Sequence, residues 1–303
     1  MSGVGPTPVV PFGARLATAM DEHGPLCVGI DPHASLLQAW GLRDDVDGLR
    51  EFSLRVVDAL GGKVAAVKPQ AAFFERHGSR GLAVLEEVVA AARAAGSSST
   101  GTLTIVDAKR GDIGSTMGAY AEAFLADGSP LAGDAITVSP YLGFGSLQPA
   151  VELAAATGRG LFVLCLTSNK EGFEVQHART AGPEDAPGSA AGGTVAALMA
   201  ARAAVLNAGA EPLGSVGLVV GATIGDAVRA TGTDLVAVNG PLLAPGVGAQ
   251  GAGERELATT FGAARRNVLA SSSRAVLGAG PDRDDLVRAA RTAAREAQAA
   301  LRS

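Results

Sequence analysis

Three charged residues follow one apolar stretch of the chain in a pattern suited to acid–base chemistry. Asp107, Lys109 and Asp112 lie in the segment LTIVDAKRGDIGSTMGAY, residues 103–120. In a strand, side chains two residues apart point to the same face, so Asp107 and Lys109 should face the same way. Charges grouped at the end of an apolar strand lose solvation energy unless they pair. An isolated D-x-K would indicate an ion pair at a strand exit, whereas the full D-x-K-x-x-D spacing favours an active site.

Lysine is rare in this chain, which makes its position at a strand end informative. Of the 25 lysine and arginine residues, four are lysines: Lys63, Lys68, Lys109 and Lys170. Arginine is therefore the ordinary cation of this protein. A compact ammonium whose proton can be tuned performs chemistry that a guanidinium cannot. A lysine at the end of a strand is accordingly a candidate for a chemical role.

The elements that must position these residues alternate between apolar strands and helices. Eight apolar segments predict buried strands, namely 26–31, 64–68, the segment that begins at 103, 135–138, 161–166, 216–220, 235–238 and 268–270. Helical patterns separate these segments, and one further helix precedes the first strand. Apolar strands separated by helices indicate a parallel sheet covered by helices. The sequence therefore predicts an α/β fold, a (β/α)₈ TIM barrel with an extra N-terminal helix, as a single domain over residues 1–303.

Two features of this prediction need separate comment. A doubly wound open sheet is the competing architecture, but no G-x-G-x-x-G segment follows the first strand to favour it. The polar, Gly- and Pro-rich segment 171–193 interrupts the alternation of strands and helices. We expect it to be an ordered loop or flap, because a domain boundary there would leave neither half a complete barrel.

Composition and charge exclude several classes of function. A net charge of −5 without a basic tract gives no basis for binding nucleic acid or an anionic membrane. No apolar run reaches the roughly 18 residues of a membrane helix, and the N-terminus lacks the charged start of a signal peptide, so a cytoplasmic location is expected. Cys27 and Cys165 are expected to be buried thiols. The four histidines show no metal-ligand spacing, and no metal site is predicted.

Polar side chains follow most of the predicted strands at their C-terminal ends. They are Asp31 after strand one, Lys68 after two, Asp107 and Lys109 after three, Ser139 after four, Thr167 and Ser168 after five, and Arg274 after eight. Barrel enzymes place their active sites on this face. Charged residues at the ends of the first three strands should therefore lie within reach of one another.

The loop after the predicted seventh strand, residues 241–253, has the composition of an anion site. Its glycines allow backbone N–H groups to approach an anion closely, and Gln250 adds an amide donor. Barrels often bind phosphate with the loops after strands seven and eight. Arg274, after strand eight, could supply a bidentate charge. A flexible surface turn is the alternative for a Gly-rich loop, and the position in the barrel favours phosphate binding.

These residues resemble the signature of one enzyme family. The segment DAKRGDIGST resembles the D-x-K-x-x-D motif of orotidine 5′-phosphate decarboxylases. Similar segments are LCVGIDP, VKPQAAFFE, LTSN, APGVGAQG and SSSRAVLGAG, which extend from about residue 26 to 280. The length and VKPQAAFFE are similar to the longer bacterial branch of this family. The resemblance implies cofactor-free decarboxylation of orotidine 5′-monophosphate to uridine 5′-monophosphate, the last step of pyrimidine biosynthesis.

The resemblance also implies roles for individual residues. The family's alternating Lys-Asp-Lys-Asp array corresponds to Lys68, Asp107, Lys109 and Asp112. Lys109 would protonate C6 of the pyrimidine as carbon dioxide leaves, Asp107 would lie against the substrate carboxylate, and Lys68 would hold Asp107 and a ribose hydroxyl. Further substrate contacts would come from Asp31 on the ribose, Ser168 on the pyrimidine edge, and Gln250 and Arg274 on the phosphate. Asp112, with Thr116 nearby, would reach the neighbouring subunit's site and implies a homodimer.

Two alternative functions remain open at the level of sequence. Mg²⁺-dependent sugar-phosphate decarboxylases and aldolases of the same barrel superfamily share a D-x-K-x-x-D strand. LTSN and APGVGAQG favour the nucleotide enzyme over them. A barrel that binds a phosphate ligand without catalysis is the second alternative, and the intact array of four charged residues argues against it.

Overall fold

The computed structural model describes residues 9–95, 101–181, 192–247 and 252–302 of the chain. Within these residues, eight parallel strands form a closed barrel in sequence order, with the eighth strand paired to the first. The strands are β1 (Leu26–Ile30), β2 (Ala66–Pro69), β3 (Leu103–Arg110), β4 (Ala135–Val138), β5 (Gly160–Leu166), β6 (Val216–Val220), β7 (Leu242–Pro245) and β8 (Val268–Ser272). This is the (β/α)₈ barrel that the alternating pattern predicts.

Helices pack around the barrel and connect its strands. The described α-helices are α1 (Phe12–His23), α2 (Ala34–Ala39), α3 (Val46–Leu60), α4 (Ala71–Glu75), α5 (Gly78–Ala95), α6 (Gly114–Leu125), α7 (Gln148–Thr157), α8 (Phe173–Gln176), α9 (Val195–Leu206), α10 (Ala227–Thr231), α11 (Glu254–Phe261), α12 (Arg274–Leu277) and α13 (Arg283–Arg302). Short 3₁₀ helices occupy Phe144–Leu147, Lys170–Gly172 and Gly262–Asn267. None of the helices in the described ranges is long and apolar enough to cross a membrane.

Side chains of the strands alternate between the barrel interior and the layer of helices. In β3, Leu103 and Ile105 pack with the apolar residues inside the barrel, whereas Val106 packs with the residues that face the helices. The same alternation points the next interior position, Asp107, into the barrel near the carboxyl end of the strand. The interior is therefore apolar toward the amino ends of the strands and charged toward their carboxyl ends.

Helix α1 closes the amino-terminal end of the barrel. The ring of Phe12 is fully buried and meets the ring of Phe162 edge to face, with centroids 5.9 Å apart. Gly160, at the start of β5, permits this approach, because a Cβ atom there would lie 2.1 Å from the Phe12 ring. Leu16 and Met20 continue the same buried face of α1. With this end filled, the carboxyl end of the barrel is the face open to a ligand.

The seventh strand lies later in the chain than predicted. The prediction of a strand at residues 235–238 is wrong, because these residues form a turn. The carboxylate of Asp234 accepts hydrogen bonds from the backbone N–H groups of Val236 and Ala237, each at 3.0 Å, which stabilises that turn. The strand that pairs with β6 and β8 is Leu242–Pro245. The Gly-rich loop still follows the seventh strand, but it begins at residue 246.

Both cysteines are buried and unpaired, as predicted. Cys27 lies in β1 and Cys165 in β5. Burial raises the pKa of each thiol to about 12, so both remain protonated at neutral pH. They therefore contribute to packing and not to nucleophilic chemistry.

Candidate active site

Three charged side chains form a continuous chain at the carboxyl end of the barrel interior. The Lys68 ammonium in β2 donates to Oδ2 of Asp107 in β3 at 2.8 Å, and both side chains are buried. The Lys109 ammonium donates to Oδ1 of the same carboxylate at 2.5 Å. The Lys109 side chain is 45% exposed, against 8% for Asp107. The array therefore extends from the buried interior to the open mouth of the barrel, where a substrate can meet Lys109.

Burial and neighbouring charges shift the pKa values of Asp107 and Lys68, the two buried members of this array, in opposite directions. Burial opposes ionisation of Asp107, but Lys68 and Lys109 outweigh it and lower the pKa of the carboxyl from 3.8 to about 2. Burial likewise opposes the charged form of Lys68, but the carboxylates of Asp107 and Asp31 raise its pKa above the ordinary value. Both groups are therefore ionised throughout the neutral range.

The lowered pKa of Asp107 predicts a stability effect at acid pH. A carboxyl whose pKa is lower in the folded than in the unfolded protein contributes stability above about pH 4, and that contribution is lost as the pH falls toward 2. We expect the difference in unfolding free energy between the wild type and Asp107→Asn to shrink over this interval. Urea unfolding at pH 5 and pH 3 measures it. An equal difference at both pH values would contradict the lowered pKa.

Lys109 adopts a backbone conformation that is uncommon for a residue with a side chain. Its φ angle is +47°, in the left-handed region, which costs on the order of 1–3 kcal/mol for a residue other than glycine. The register between β3 and β4 also shifts between Val106 and Arg110, so β3 is irregular where Lys109 lies. Such strain persists where surrounding contacts hold the backbone in place.

Two residues contact the array without having been predicted to do so. The Thr137 hydroxyl in β4 donates to Asp107 Oδ1 at 2.8 Å and accepts from the backbone N–H of Lys109 at 3.0 Å. The Gln70 amide, in the orientation that suits its neighbours, accepts from the Lys109 ammonium at 3.3 Å and donates to the Asp107 carbonyl oxygen at 2.5 Å. Thr137 lies two positions after the interior residue Ala135, so the alternation of a strand also points its side chain into the barrel. This alternation was the sequence signal that could have identified Thr137. Gln70 directly follows β2, within a segment that resembles the family.

Asp31 follows β1 and carries an unsatisfied carboxylate oxygen. Its Oδ1 atom is buried and has no hydrogen-bond partner in the described part of the chain. A Cβ atom at Gly29 would lie 2.8 Å from Asp31 Oδ2 and 2.1 Å from Ser273 Oγ, so glycine leaves room for both polar groups. A buried acceptor without a partner costs about 1–3 kcal/mol. The unsatisfied oxygen is therefore available to accept a hydrogen bond from a ligand or a water molecule.

The remaining predicted binding residues are spread around the barrel mouth. Ser168 is exposed after β5 and lies beside Gly221, which follows β6. Arg274 is the exposed first residue of α12, and its guanidinium group makes no hydrogen bond or ion pair to the described residues. Gln250 lies outside the described residues. The structure thus leaves Ser168 and Arg274 accessible to a ligand without bringing them into the charged array.

Asp112 and Thr116 do not join the charged array in this chain. The Asp112 carboxylate accepts from the backbone N–H of the following residue, Ile113, at 2.8 Å. Its contacts in the described residues include none of the three charged side chains of the array. Thr116 lies exposed in the first turn of α6. The chain by itself therefore brings together three of the four predicted charged residues.

The segment after β5 contacts the strand end that carries Ser168. The Gln176 amide in α8 accepts from the Thr167 backbone N–H at 2.9 Å and donates to the Thr167 hydroxyl at 2.6 Å. The backbone N–H of Thr180 also donates to the carbonyl oxygen of Gly193 at 2.8 Å. The segment begins with a 3₁₀ turn and α8, which the sequence pattern does not predict. No set of three or more His, Cys, Asp or Glu side chains in the described ranges is arranged to hold a metal ion.

A family comparison identifies the proteins to which this chain is related. The model described as the orotidine 5′-phosphate decarboxylase / HUMPS family matches residues 24–290, which include all eight strands of the barrel. The chain belongs to this family. The orotidine 5′-phosphate decarboxylase resemblance seen in the D-x-K-x-x-D segment is thereby confirmed at the level of the family.

Relatives named orotidine 5′-phosphate decarboxylase share most of the sequence. The protein of Streptomyces coelicolor is 61% identical over 284 residues, which cover 94% of this chain and 94% of the relative. The protein of Salinispora arenicola is 58% identical over 290 residues, which cover 96% of this chain and 98% of the relative. The similarity to orotidine 5′-phosphate decarboxylases therefore extends well beyond the motif segments.

Solved structures agree with the barrel and its elements. One from Streptomyces avermitilis, whose description carries the name orotidine 5′-phosphate decarboxylase, is 60% identical, covers all of both chains and has a TM-score of 0.89. The Leishmania donovani OMP decarboxylase is 30% identical, with a TM-score of 0.70 over 97% of this chain and 100% of the other. The architecture is thus shared between close and distant orotidine 5′-phosphate decarboxylases.

Proposed function

We propose that this chain decarboxylates orotidine 5′-monophosphate to uridine 5′-monophosphate and CO₂, in pyrimidine biosynthesis, without a cofactor. The observation that carries the proposal is the Lys68–Asp107–Lys109 array, with an exposed ammonium beside a buried carboxylate at the barrel mouth. Relatives that are 58–61% identical bear the name of this enzyme, which supports it over a sugar-phosphate enzyme of the same superfamily. The biosynthetic role also agrees with a cytoplasmic location, which forms part of the proposal.

Lys109 is the proposed proton donor. The bond between C6 and the carboxylate carbon breaks, its electron pair stays on C6, and CO₂ leaves. A proton from the Lys109 ammonium then bonds to C6, and the neutral amine takes up a proton from solvent. The negative charge on C6 develops beside a preformed positive charge, so Lys109 stabilises the transition state more than the ground state.

Asp107 and Lys68 are proposed to organise the charges around the reacting carbon. Asp107 lies against the substrate carboxylate in this scheme, and loss of CO₂ relieves the repulsion between the two negative groups. Lys68 neutralises Asp107 when the site is empty, as their 2.8 Å contact indicates, and donates to a ribose hydroxyl when substrate is bound. The buried setting strengthens both interactions because little water screens them.

The proposed substrate contacts distribute binding energy over the mouth of the barrel. The unsatisfied Asp31 oxygen accepts from a ribose hydroxyl, and Ser168 bonds the pyrimidine edge. Gln250 and the exposed guanidinium of Arg274 bind the phosphate. Binding energy from this remote phosphate offsets the desolvation of charges at the reacting carbon. The segment 171–193 is proposed to be a loop or flap; its residue Gln176 contacts Thr167 at the end of β5, and residues 182–191 lie outside the described residues.

Occupation of the Asp107 oxygens argues against a metal-dependent reaction at this carboxylate. Oδ2 accepts from Lys68, and Oδ1 accepts from both Lys109 and Thr137. A divalent cation bound to Asp107 would have to displace an ammonium group or approach two of them closely. This arrangement supports the cofactor-free mechanism over the Mg²⁺-dependent alternative.

The proposed activity has a direct test in product analysis. Purified protein is incubated with orotidine 5′-monophosphate, and the nucleotide product and CO₂ are quantified. We expect equal amounts of uridine 5′-monophosphate and CO₂. A folded protein that binds the nucleotide without forming product would instead support a non-catalytic phosphate-binding barrel.

A homodimer with shared sites is the second part of the proposal. No contact joins Asp112 to the charged array in the described residues, and large apolar side chains are exposed on its loop and on the adjacent one: Ile113, Tyr141 and Leu142. The two loops that carry them are adjacent, because a Cβ atom at Gly111 would lie 2.3 Å from the Ser139 carbonyl oxygen. An interface over these residues would bury the apolar side chains and direct Asp112 and Thr116 toward the partner's site.

Mixed dimers test whether Asp112 acts across the interface. Lys68→Ala and Asp112→Ala are each expected to be inactive alone. In a heterodimer of the two, one of the two sites combines an intact Lys68 with an intact Asp112, so about half of the wild-type activity should return. Co-expression with two different affinity tags isolates the heterodimer for the assay.

A heterodimer of two variants from the same site is the control for this experiment. A heterodimer of Lys68→Ala and Asp107→Ala should remain inactive, since both residues belong to the same site and neither site is restored. Recovery in this control, or none in an isolated heterodimer that carries Asp112→Ala, would contradict a shared site.

A further inference from the structure

The irregular register between β3 and β4 leaves one residue of β4 opposite three residues of β3. Val106 pairs with Ile136, and the next pair along the strands is Arg110 with Val138. Between these pairs β3 has residues 107–109, whereas β4 has Thr137 alone. A bulge of this kind interrupts the regular ladder of backbone hydrogen bonds. The backbone N–H of Lys109 consequently bonds to a side chain, the Thr137 hydroxyl, at 3.0 Å.

The hydroxyl of Thr137 links the two central groups of the array. A backbone N–H can only donate, so the hydroxyl accepts from Lys109 and its own proton is available to Asp107 Oδ1, 2.8 Å away. Thr137 is 1% exposed, so bulk water does not reach this position to replace the hydroxyl. One buried oxygen thereby joins the carboxylate to the backbone of the proposed proton donor.

This arrangement also bears on the strained backbone of Lys109. A left-handed φ of +47° persists when neighbouring contacts favour it, and the hydrogen bond to Thr137 is one such contact. The branched side chain of threonine has few rotamers, so the position of its hydroxyl is well defined. The direction in which the Lys109 side chain leaves the strand therefore depends on Thr137.

We propose that Thr137 is a positioning residue for the decarboxylation, an inference that rests on the proposed function. It does not touch the reacting atoms. It holds the Asp107 carboxylate in place and fixes the backbone from which the Lys109 ammonium reaches the substrate. A displacement of about 1 Å in such groups can lower a rate by about 100-fold while substrate binding is retained.

Thr137→Val tests the proposal because valine keeps the branched shape and removes the hydroxyl. We expect kcat for orotidine 5′-monophosphate to fall by about 10- to 100-fold, with KM and the affinity for uridine 5′-monophosphate changed less than about threefold. Thr137→Ser retains the hydroxyl and should keep kcat within about threefold of the wild type. Thr137→Ala provides the same comparison if the valine variant does not fold.

Thr104→Val is the matched control. Thr104 is also a buried threonine in the barrel wall, 2% exposed, but its hydroxyl has no partner in the described residues. Its replacement should leave kcat unchanged. Either of two results would overturn the inference: a folded Thr137→Val variant with the wild-type kcat, or a Thr137→Ser variant as impaired as Thr137→Val. The proposed function would still stand in both cases, provided that the wild type turns over the substrate. Absence of turnover by the wild type would overturn both.

Discussion

Replacement of Lys109 by alanine is expected to lower kcat for orotidine 5′-monophosphate by at least about 10⁴-fold. Acid catalysis by a positioned group contributes about 10²–10⁴-fold to a reaction rate, and a preformed charge at the reacting centre contributes about 10²–10³-fold. The alanine variant loses both contributions. The fold should survive, because the Lys109 side chain is half exposed and Asp107 keeps its bonds to Lys68 and Thr137. The change in ultraviolet absorbance as substrate is consumed measures the rate.

The Lys109→Arg variant distinguishes the role of Lys109 as proton donor from its role as a positive charge. Arginine keeps a positive group near Asp107, but its guanidinium does not release a proton at neutral pH. We expect this variant to be nearly as inactive as Lys109→Ala, while thermal unfolding and gel filtration show a native protein in both. A Lys109→Arg enzyme within about tenfold of the wild-type kcat would exclude Lys109 as the proton donor and leave charge stabilisation as its role.

Asp107→Asn is expected to reduce both stability and activity. The variant leaves the Lys68 ammonium, 7% exposed, without its charged partner. Removal of one member of a buried ion pair costs about 3–5 kcal/mol in unfolding free energy. Activity should fall by about 10²–10³-fold, because the charge that orders the array is lost. Urea unfolding at pH 7 and steady-state kinetics measure the two effects.

A second substitution distinguishes the two effects of Asp107. The double variant Asp107→Asn/Lys68→Met removes both buried charges, so we expect it to be more stable than Asp107→Asn alone and still inactive. If Asp107→Asn were as stable as the wild type, Asp107 could not be the group that compensates the buried charge of Lys68.

The location of the charged array could be predicted from the sequence because strand alternation and barrel topology act together. Asp107 and Lys109 lie two positions apart at the end of a predicted strand, and Lys68 ends the neighbouring predicted strand. In a barrel with strands in sequence order, these positions must converge at one face. The 2.8 Å and 2.5 Å contacts to Asp107 bear out this expected proximity.

The seventh strand could not be predicted because two different structures share its sequence pattern. Leu235 and Val238 are buried at 4% and 0% exposure, as in a strand, yet they are the apolar contacts of a turn. The observed strand, Leu242–Pro245, ends in a proline and follows Gly240-Pro241, a pair typical of turns. Pairing with β6 and β8, a long-range interaction, decides between the two segments.

The connection between Thr137 and Lys109 also depends on long-range geometry. A bulge in β3 becomes visible only when its residues are aligned with those of β4. No local pattern indicates a left-handed φ at a lysine, because such a conformation is unfavourable in isolation and requires the surrounding structure. Sequence reasoning therefore found the charged groups and missed the hydroxyl that joins them.

Turnover of orotidine 5′-monophosphate by the chelated enzyme tests the central claim most directly. The protein is treated with EDTA, freed of chelated metal, and assayed by the ultraviolet change with EDTA still present. We predict the same rate of formation of uridine 5′-monophosphate as in the untreated enzyme, because the Lys68–Asp107–Lys109 array supplies the charges for the reaction. Loss of turnover in EDTA, restored by Mg²⁺, would contradict a decarboxylation carried out by the side chains alone.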